Sequence, residues 1–178
     1  MNRLILVSFL ILAGSSCDPA STAPARGDYQ DLNADQIMFD VKHVQMSGGL
    51  RSAEGVYDTV YVFNDSSIYH LKGVHTRMFN EAGVQSATID ADSGSLNRAT
   101  DAMTAFGNVV LLTQGNCRIT TEELHYDPST RRIWSDVQSR FEIAGRVTTA
   151  NSFRADDQFN NFEAEGMTGA IPRGCGVS

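Results

Sequence analysis

The sequence is poor in several residue types that define common protein classes. It has only three cysteines, none in a CxxC spacing, which excludes a zinc ribbon, a thioredoxin-type motif and a disulfide-dense scaffold. Only two residues are lysine and the net charge is −7, so the chain lacks the basic face that nucleic-acid binding requires. With 42% hydrophobic and 20% charged residues, the 178-residue chain is too apolar to be mainly disordered and long enough for one domain with a core.

Recognisable catalytic and metal-binding patterns are also absent from the sequence. Its histidines form neither an HExxH motif nor a histidine–carboxylate cluster with ligand spacing. Asp90–Gly94 resembles a calcium loop but lacks the oxygen ligand at its fifth position, so we interpret its Asp-Ser-Gly end as a turn. We therefore expect no enzyme activity, no cofactor and no metal site. The alternative, a β-helical enzyme, requires Asp90, Asp92 or His125 to converge in space. The histidines, expected at the surface or at strand ends, are His43, His70, His75 and His125.

The first residues have the pattern of a bacterial lipoprotein signal peptide. Arg3 precedes an apolar run over 4–12, which is shorter than the about 20 residues that span a membrane. Small residues then lead to Cys17, as in the lipobox, where the cysteine is acylated and the chain is cut before it. Gly14 stands where that pattern usually has leucine, so an ordinary secretory signal that leaves a soluble protein is the alternative. We predict a signal peptide over 1–16 and lipidation at Cys17.

The residues around this predicted anchor suggest a location and a tether. Asp18 resembles the sorting residue that retains lipoproteins at the inner membrane, so we expect a lipid anchor at its periplasmic face. A soluble periplasmic protein and an outer-membrane lipoprotein are the alternatives. Residues 17–35, rich in proline, alanine and serine, are expected to form the acylated cysteine and a flexible tether, and 172–178 a tail. Cys117 and Cys175 are a candidate disulfide in an oxidising envelope, and two separate thiols are the alternative.

Residues 36–171 show the period of β-strands. Runs rich in Val, Ile, Thr, Phe and Tyr recur about every ten residues between turn clusters, which is typical of an all-β sandwich, barrel or roll. Between Val137 and Ile143, apolar Val137, Phe141 and Ile143 alternate with polar residues, which predicts a half-buried antiparallel strand. Leu96–Ala105 is interpreted as a short helix or an irregular crossing. The predicted strands are Val56–Phe63, Ile68–Phe79, Val84–Ile89, Phe106–Thr113, Cys117–Tyr126, Arg132–Ser135, Val137–Ala144, Arg146–Ala155 and Phe159–Met167.

Several of these segments, in this order and spacing, resemble the LptC family. That family is the membrane-anchored periplasmic component of lipopolysaccharide export, with relatives in the LptA/OstA-like group. Many members have an uncleaved transmembrane helix where this chain has a predicted acyl anchor. The resemblance rests on Met78–Gly83, Ser86–Thr88, Phe106–Leu111, Ile119–Asp127, Ile133–Asp136, the Gly145 turn, Phe153–Asp156 and Gly166–Gly169.

The resemblance implies a twisted, open β-jellyroll over 36–171, with mostly antiparallel strands and an apolar trough for acyl chains. The implied partners are lipopolysaccharide, inner-membrane ABC transporter subunits similar to LptF and LptG, and an LptA-like bridge protein bound by strand addition. Simple core packing, in a structural adaptor that carries no lipid, is the alternative interpretation of the same apolar residues. The candidates for the lipid-binding groove are Met78, Val109, Leu111, Ile119, Leu124, Tyr126, Trp134, Phe141, Ile143 and Phe153.

Overall fold

The computed structural model describes residues 34–168, and in this part of the chain the regular elements are all β-strands. No helix there is long and apolar enough to cross a bilayer. The predicted signal peptide, Cys17, Asp18, most of the tether and the tail lie outside the described residues and stay predictions. The strands are β1 (Gln36–Ser47), β2 (Leu50–Val62), β3 (Ile68–Phe79), β4 (Gln85–Asn97), β5 (Met103–Thr113), β6 (Arg118–Asp127), β7 (Arg132–Ser135), β8 (Ser139–Ile143), β9 (Arg146–Ala150), β10 (Ser152–Asp156) and β11 (Phe162–Glu165).

All eleven strands belong to one antiparallel sheet with open edges. The main path runs β1-β2-β3-β4-β5-β6-β7-β10-β11, so β1 and β11 lie at its ends. β6 forks: its first residues, 118–121, pair with β8, and its last, 125–127, pair with β7. The prediction of an all-β, mostly antiparallel open jellyroll is confirmed.

A bulge in β5 interrupts its ladder with both neighbouring strands. Gly107 and Asn108 both have positive φ, +73° and +46°, and the β4–β5 and β5–β6 registers shift at this point. The Asn108 side-chain amide donates a hydrogen bond of 2.7 Å to the Asp92 carboxylate, which fixes the bulge against β4. Bulges increase the twist of a strand pair, and the twist allows the sheet to curl around its own apolar face.

The curled sheet encloses two apolar clusters. We call the larger one the main core; it draws on β3 to β10 and the turn after β10. We call the smaller one the second core; it draws on β2 to β5 and consists of Tyr57, Val60, Val62, Leu71, Val74, Leu96 and Met103. Ala91 packs against both clusters, so the apolar interior is continuous along the long strands. The main core comprises Met78, Ala87, Ile89, Ala105, Val109, Leu111, Cys117, Ile119, Leu124, Tyr126, Ile133, Phe141, Ala150, Phe153, Ala155 and Phe159.

The interpretation of Leu96–Ala105 as a helix or irregular crossing is wrong. β4 continues to Asn97, β5 begins at Met103, and a short turn joins them as a hairpin. The Asn97 amide donates to the Ala102 carbonyl, and the Asn97 side-chain oxygen accepts from the Ala99 amide. Asp101 closes the turn with a φ of +55°. Asparagine and aspartate form such turns readily because their side chains bond nearby backbone groups.

The turn predicted at Asp92-Ser93-Gly94 is also wrong, because these residues lie inside β4. Gly94 is buried between β3 and β5, where a Cβ atom would lie 2.8 Å from the Thr104 carbonyl oxygen. The glycine therefore permits a close approach of two strands, which is a recognised use of glycine in a sheet.

Other strand limits also differ from the predicted ones, at β1, β2, β8 and the segment that forms β9 and β10. β1 was absent from the predicted series, and β2 begins at Leu50, six residues before the predicted start at Val56. The predicted run Arg146–Ala155 is divided at Asn151 into β9 and β10. Val137 is 37% exposed in the bend before β8 and does not share a buried face with Phe141. The hydroxyls of Ser135 and Ser139 both donate to the Val137 carbonyl, which holds this bend outside the strand.

Candidate functional site

The interior of the jellyroll contains most of the residues predicted to line a lipid groove. Eight of the ten belong to the main core, and the most accessible of them, Tyr126, is only 8% exposed. Ile143 is half-buried and packs against the same cluster. The sequence alternation therefore identified a common face, and contact of that face with lipid stays a prediction. The eight are Met78, Val109, Leu111, Ile119, Leu124, Tyr126, Phe141 and Phe153.

Trp134 lies on the opposite face of the sheet, so its assignment to the inner face is wrong. It pairs across the ladder with His125, and the two rings stack with their centroids 5.0 Å apart. Its neighbour Ile133 is fully buried and pairs with Tyr126 on the inner side. The inner positions of β7 are thus Ile133 and the fully buried Ser135, and the small polar side chain of Ser135 concealed this alternation.

Phe141, Phe153 and Phe159 are the phenylalanines of the main core, and Phe162 packs against it. Phe141 meets Phe153 and Phe162 edge to face, each at a centroid distance of 5.4 Å. Phe159, in the turn after β10, is also buried, and its backbone has a φ of +59°. Phe159 and Phe162 were not predicted from the sequence as groove residues. Two aromatic residues shortly after the β10 segment were the sequence signal that could have identified them.

The interior of the described sheet is packed with buried side chains. A hollow inside it measures about 20 Å³ and lies between β1 to β5 and Tyr126. Binding cavities for drug-sized ligands are about 300–1,000 Å³. Contact between this interior and an acyl chain therefore requires the strands around it to separate.

A larger cavity, of about 240 Å³, opens at the surface between the β1–β2 hairpin, the β3–β4 turn and the β6–β7 turn. We call it the end cavity. Leu50, Phe79 and Tyr126 give it apolar walls, and Arg51 and Arg131 bring guanidinium groups to it. Its burial, which is the largest cause, and the nearby Asp157 carboxylate raise the pKa of Tyr126 to about 12. The hydroxyl of Tyr126 is therefore protonated at neutral pH.

Arg131 joins parts of the chain that are far apart in sequence. Its guanidinium donates two hydrogen bonds to Asp157, of 2.9 and 3.1 Å, and one of 2.5 Å to Glu81 in the β3–β4 turn. These hydrogen bonds raise the pKa of Arg131 above its usual range, and the bonds to Asp157 contribute more than the bond to Glu81. The Ser86 hydroxyl also donates to the Asp157 carbonyl. We call this set the Arg131 clasp, since it ties the start of β4 to the turns after β6 and β10.

Glu54 forms a second charged cluster on β2, and its side chain is only 2% exposed. Lys42 on β1 approaches one carboxylate oxygen at 2.9 Å, Arg51 approaches the other at 2.9 Å, and Arg77 on β3 donates to the first. The hydrogen bonds from Lys42 and Arg77 lower the pKa of Glu54 to about 2. Three cations therefore surround one carboxylate, which is ionised at neutral pH.

The residues considered for metal or enzyme chemistry do not converge. The described residues contain no group of three or more His, Cys, Asp or Glu side chains placed to hold a metal ion. Asp90 bonds His75 at 2.6 Å, Asp92 bonds Asn108, and His125 approaches Glu123 at 2.9 Å. These pairs are separate contacts along different parts of the sheet.

Cys117 is fully buried in the main core and is disulfide-bonded. Its predicted partner, Cys175, lies outside the described residues, so the pairing of these two cysteines stays a prediction.

Comparison with known proteins agrees with the architecture. A search of curated protein sequences gave no match to this chain. The family model described as "Lipopolysaccharide-assembly, LptC-related" matches residues 4–164, which is most of the sequence. The match includes all eleven strands except for the last residue of β11. On this evidence of sequence and fold, the chain belongs to the LptC family.

Proposed function

We propose that the protein is a non-catalytic lipid carrier, anchored by acyl chains at the periplasmic face of the inner membrane. It receives lipopolysaccharide from LptF/LptG-like subunits of an ABC transporter and passes it to an LptA-like bridge protein. Family membership is the observation that carries the proposal, because the LptC family serves lipopolysaccharide transport in the periplasmic envelope.

The continuous apolar interior supports the carrier role. Each CH₂ group exposed to water costs roughly 0.8 kcal/mol, so an acyl chain needs apolar surface to cross an aqueous compartment. The main core and the second core meet at Ala91 and together provide such a surface along β3, β4 and β5. In this proposal the strands part to let acyl chains replace contacts within the core.

The open edges of the sheet support transfer by strand addition. In the described part of the chain, β1 pairs only with β2, and β11 pairs only with β10. Edge strands have unpaired backbone groups that can bond a strand of another protein. An open edge at each end of the sheet suits a protein that binds one partner from which it receives the lipid and another partner to which it passes the lipid.

A structural adaptor that carries no lipid is the second candidate function. It is favoured by one observation, the near-complete burial of eight of the ten predicted groove residues. Such an adaptor uses the same sheet edges but keeps its core closed throughout.

Photo-crosslinking to lipopolysaccharide distinguishes the two candidates. A photoreactive amino acid replaces Phe141 or Ile143 on the inner face, and in a matched control it replaces Trp134 on the outer face. The carrier predicts saturable adducts at Phe141 and Ile143 and little adduct at Trp134. Equal labelling on both faces, or no adduct at either inner position in a folded protein, rejects the carrier in favour of the adaptor.

A further inference from the structure

We propose that Lys42, Arg51 and Arg77 form a phosphate-binding site beside the end cavity, which takes the headgroup of an anionic amphiphile. The inference rests on the proposed function, since it assigns the ligand's polar group to a place on the carrier. It starts from an imbalance of charge in an otherwise acidic protein.

The charge imbalance is local and is directed toward solvent. Lys42, Arg51 and Arg77 are 60%, 46% and 41% exposed, whereas the Glu54 side chain that they share is 2% exposed. One carboxylate offsets one positive charge, so two positive charges remain at this place on the surface. The chain as a whole has a net charge of −7, which makes the patch an exception.

The guanidinium groups in this patch are held in place before any ligand arrives. Arg51 lies over the Phe79 ring at 4.0 Å from its centroid, while one of its nitrogens bonds Glu54. Arg77 is held by Glu54 from the neighbouring strand. Arginine presents several donors in a planar fork that matches phosphate oxygens, and a fixed fork loses less entropy on binding.

The end cavity places apolar surface next to one of these cations, Arg51. Arg51 lines the cavity together with Leu50, Phe79 and the edge of the main core at Tyr126. The two acids at the cavity, Glu81 and Asp157, are both bonded to Arg131 and leave one net negative charge there, so the Glu54 cluster, with two positive charges in excess, is the cationic group beside the cavity. A ligand with a phosphate and an alkyl chain satisfies both features, whereas a free phosphate satisfies only the first.

The test is isothermal titration of the full chain with three probes below micelle concentration: dodecyl phosphate, dodecyl maltoside and inorganic phosphate. We expect dodecyl phosphate to bind at least about tenfold more tightly than either of the others, and its advantage to shrink with added salt. Arg51→Gln and Arg77→Gln should each reduce that advantage, and the double variant should abolish it. Arg140→Gln, which removes an exposed arginine from β8, is the matched control and should bind like the parent.

Each alternative result has a definite meaning. Dodecyl maltoside binding as tightly as dodecyl phosphate, or unchanged binding by a double variant that melts like the parent, overturns the phosphate site while leaving the carrier proposal intact. Inorganic phosphate binding as tightly as dodecyl phosphate overturns the assignment to an amphiphile. Failure of lipopolysaccharide to crosslink at Phe141 and Ile143 rejects the carrier, and the titration is independent of that experiment.

Discussion

At the scale of single residues, Glu54 controls the arrangement of three basic side chains. Its carboxylate is buried at their centre, and the hydrogen bonds from Lys42 and Arg77 hold its pKa at about 2, below the ordinary value of 4.5. A carboxyl group whose pKa is lower in the folded state adds stability above its unfolded pKa. That contribution is lost as the pH falls through the folded value.

We therefore predict that Glu54→Gln lowers stability at pH 7, where three cations remain without their shared anion. The difference in unfolding midpoint between parent and variant should shrink as the pH is lowered from about 4.5 to about 2. Urea unfolding followed by circular dichroism at several pH values measures this difference. Glu122→Gln, an exposed position on β6, is the control and should follow the parent at every pH. A Glu54→Gln difference that does not change with pH contradicts the assigned role.

At the scale of elements, the sequence predicted the strands better than it predicted what interrupts them. Runs such as Ile68–Phe79 and Arg132–Ser135 match β3 and β7 at both ends, since β-branched and aromatic residues mark a half-buried pleated surface. Gly94 was assigned to a turn because glycine serves both turns and close strand contacts. Only the position of Thr104 on β5 separates these uses, and that position is a long-range property of the sheet.

A substitution at Gly94 tests whether this glycine is needed for the close contact between β4 and β5. We predict that Gly94→Ala destabilises the protein by about 1–3 kcal/mol, because the added methyl group would meet the Thr104 backbone oxygen at 2.8 Å. Thermal and urea unfolding measure the change. Ser95→Ala, at the next position of β4 and facing the other side, is the control and should change stability by less than about 0.5 kcal/mol. If Gly94→Ala were as stable as the parent, β4 and β5 would not approach as closely as described.

Prediction from the sequence also reached a limit in deciding which residues of a strand lie on the inner face of the sheet. Alternation placed Phe141 and Ile143 on the inner side, because the apolar positions of β8 are separated by charged ones. In β7 the inner positions are Ile133 and Ser135, so polarity gives no alternation and Trp134 was assigned to the wrong face. The Glu54 cluster and the Arg131 clasp could not be predicted, because each depends on which distant strands and turns come together.

At the scale of the whole molecule, a carrier must open an interior that is packed at rest. The Arg131 clasp is a long-range connection between the start of β4 and the turns after β6 and β10. In a protein with a closed and an open state, weakening a contact made only in the closed state raises the open population. The apparent affinity for a ligand of the open state rises with it.

We predict that Arg131→Gln lowers the free energy of unfolding by about 1–2 kcal/mol, because it leaves Asp157 and Glu81 without their cation at a partly exposed site. The same variant should increase lipopolysaccharide crosslinking at Phe141, since the clasp opposes the separation of the strands. Arg154→Gln removes an exposed ion pair with Asp136, both partners being more than half exposed, and should change neither quantity. If Arg131→Gln loses stability but crosslinks no more lipid than the parent, acyl chains enter elsewhere, and the free edge at β1 becomes the place to test next.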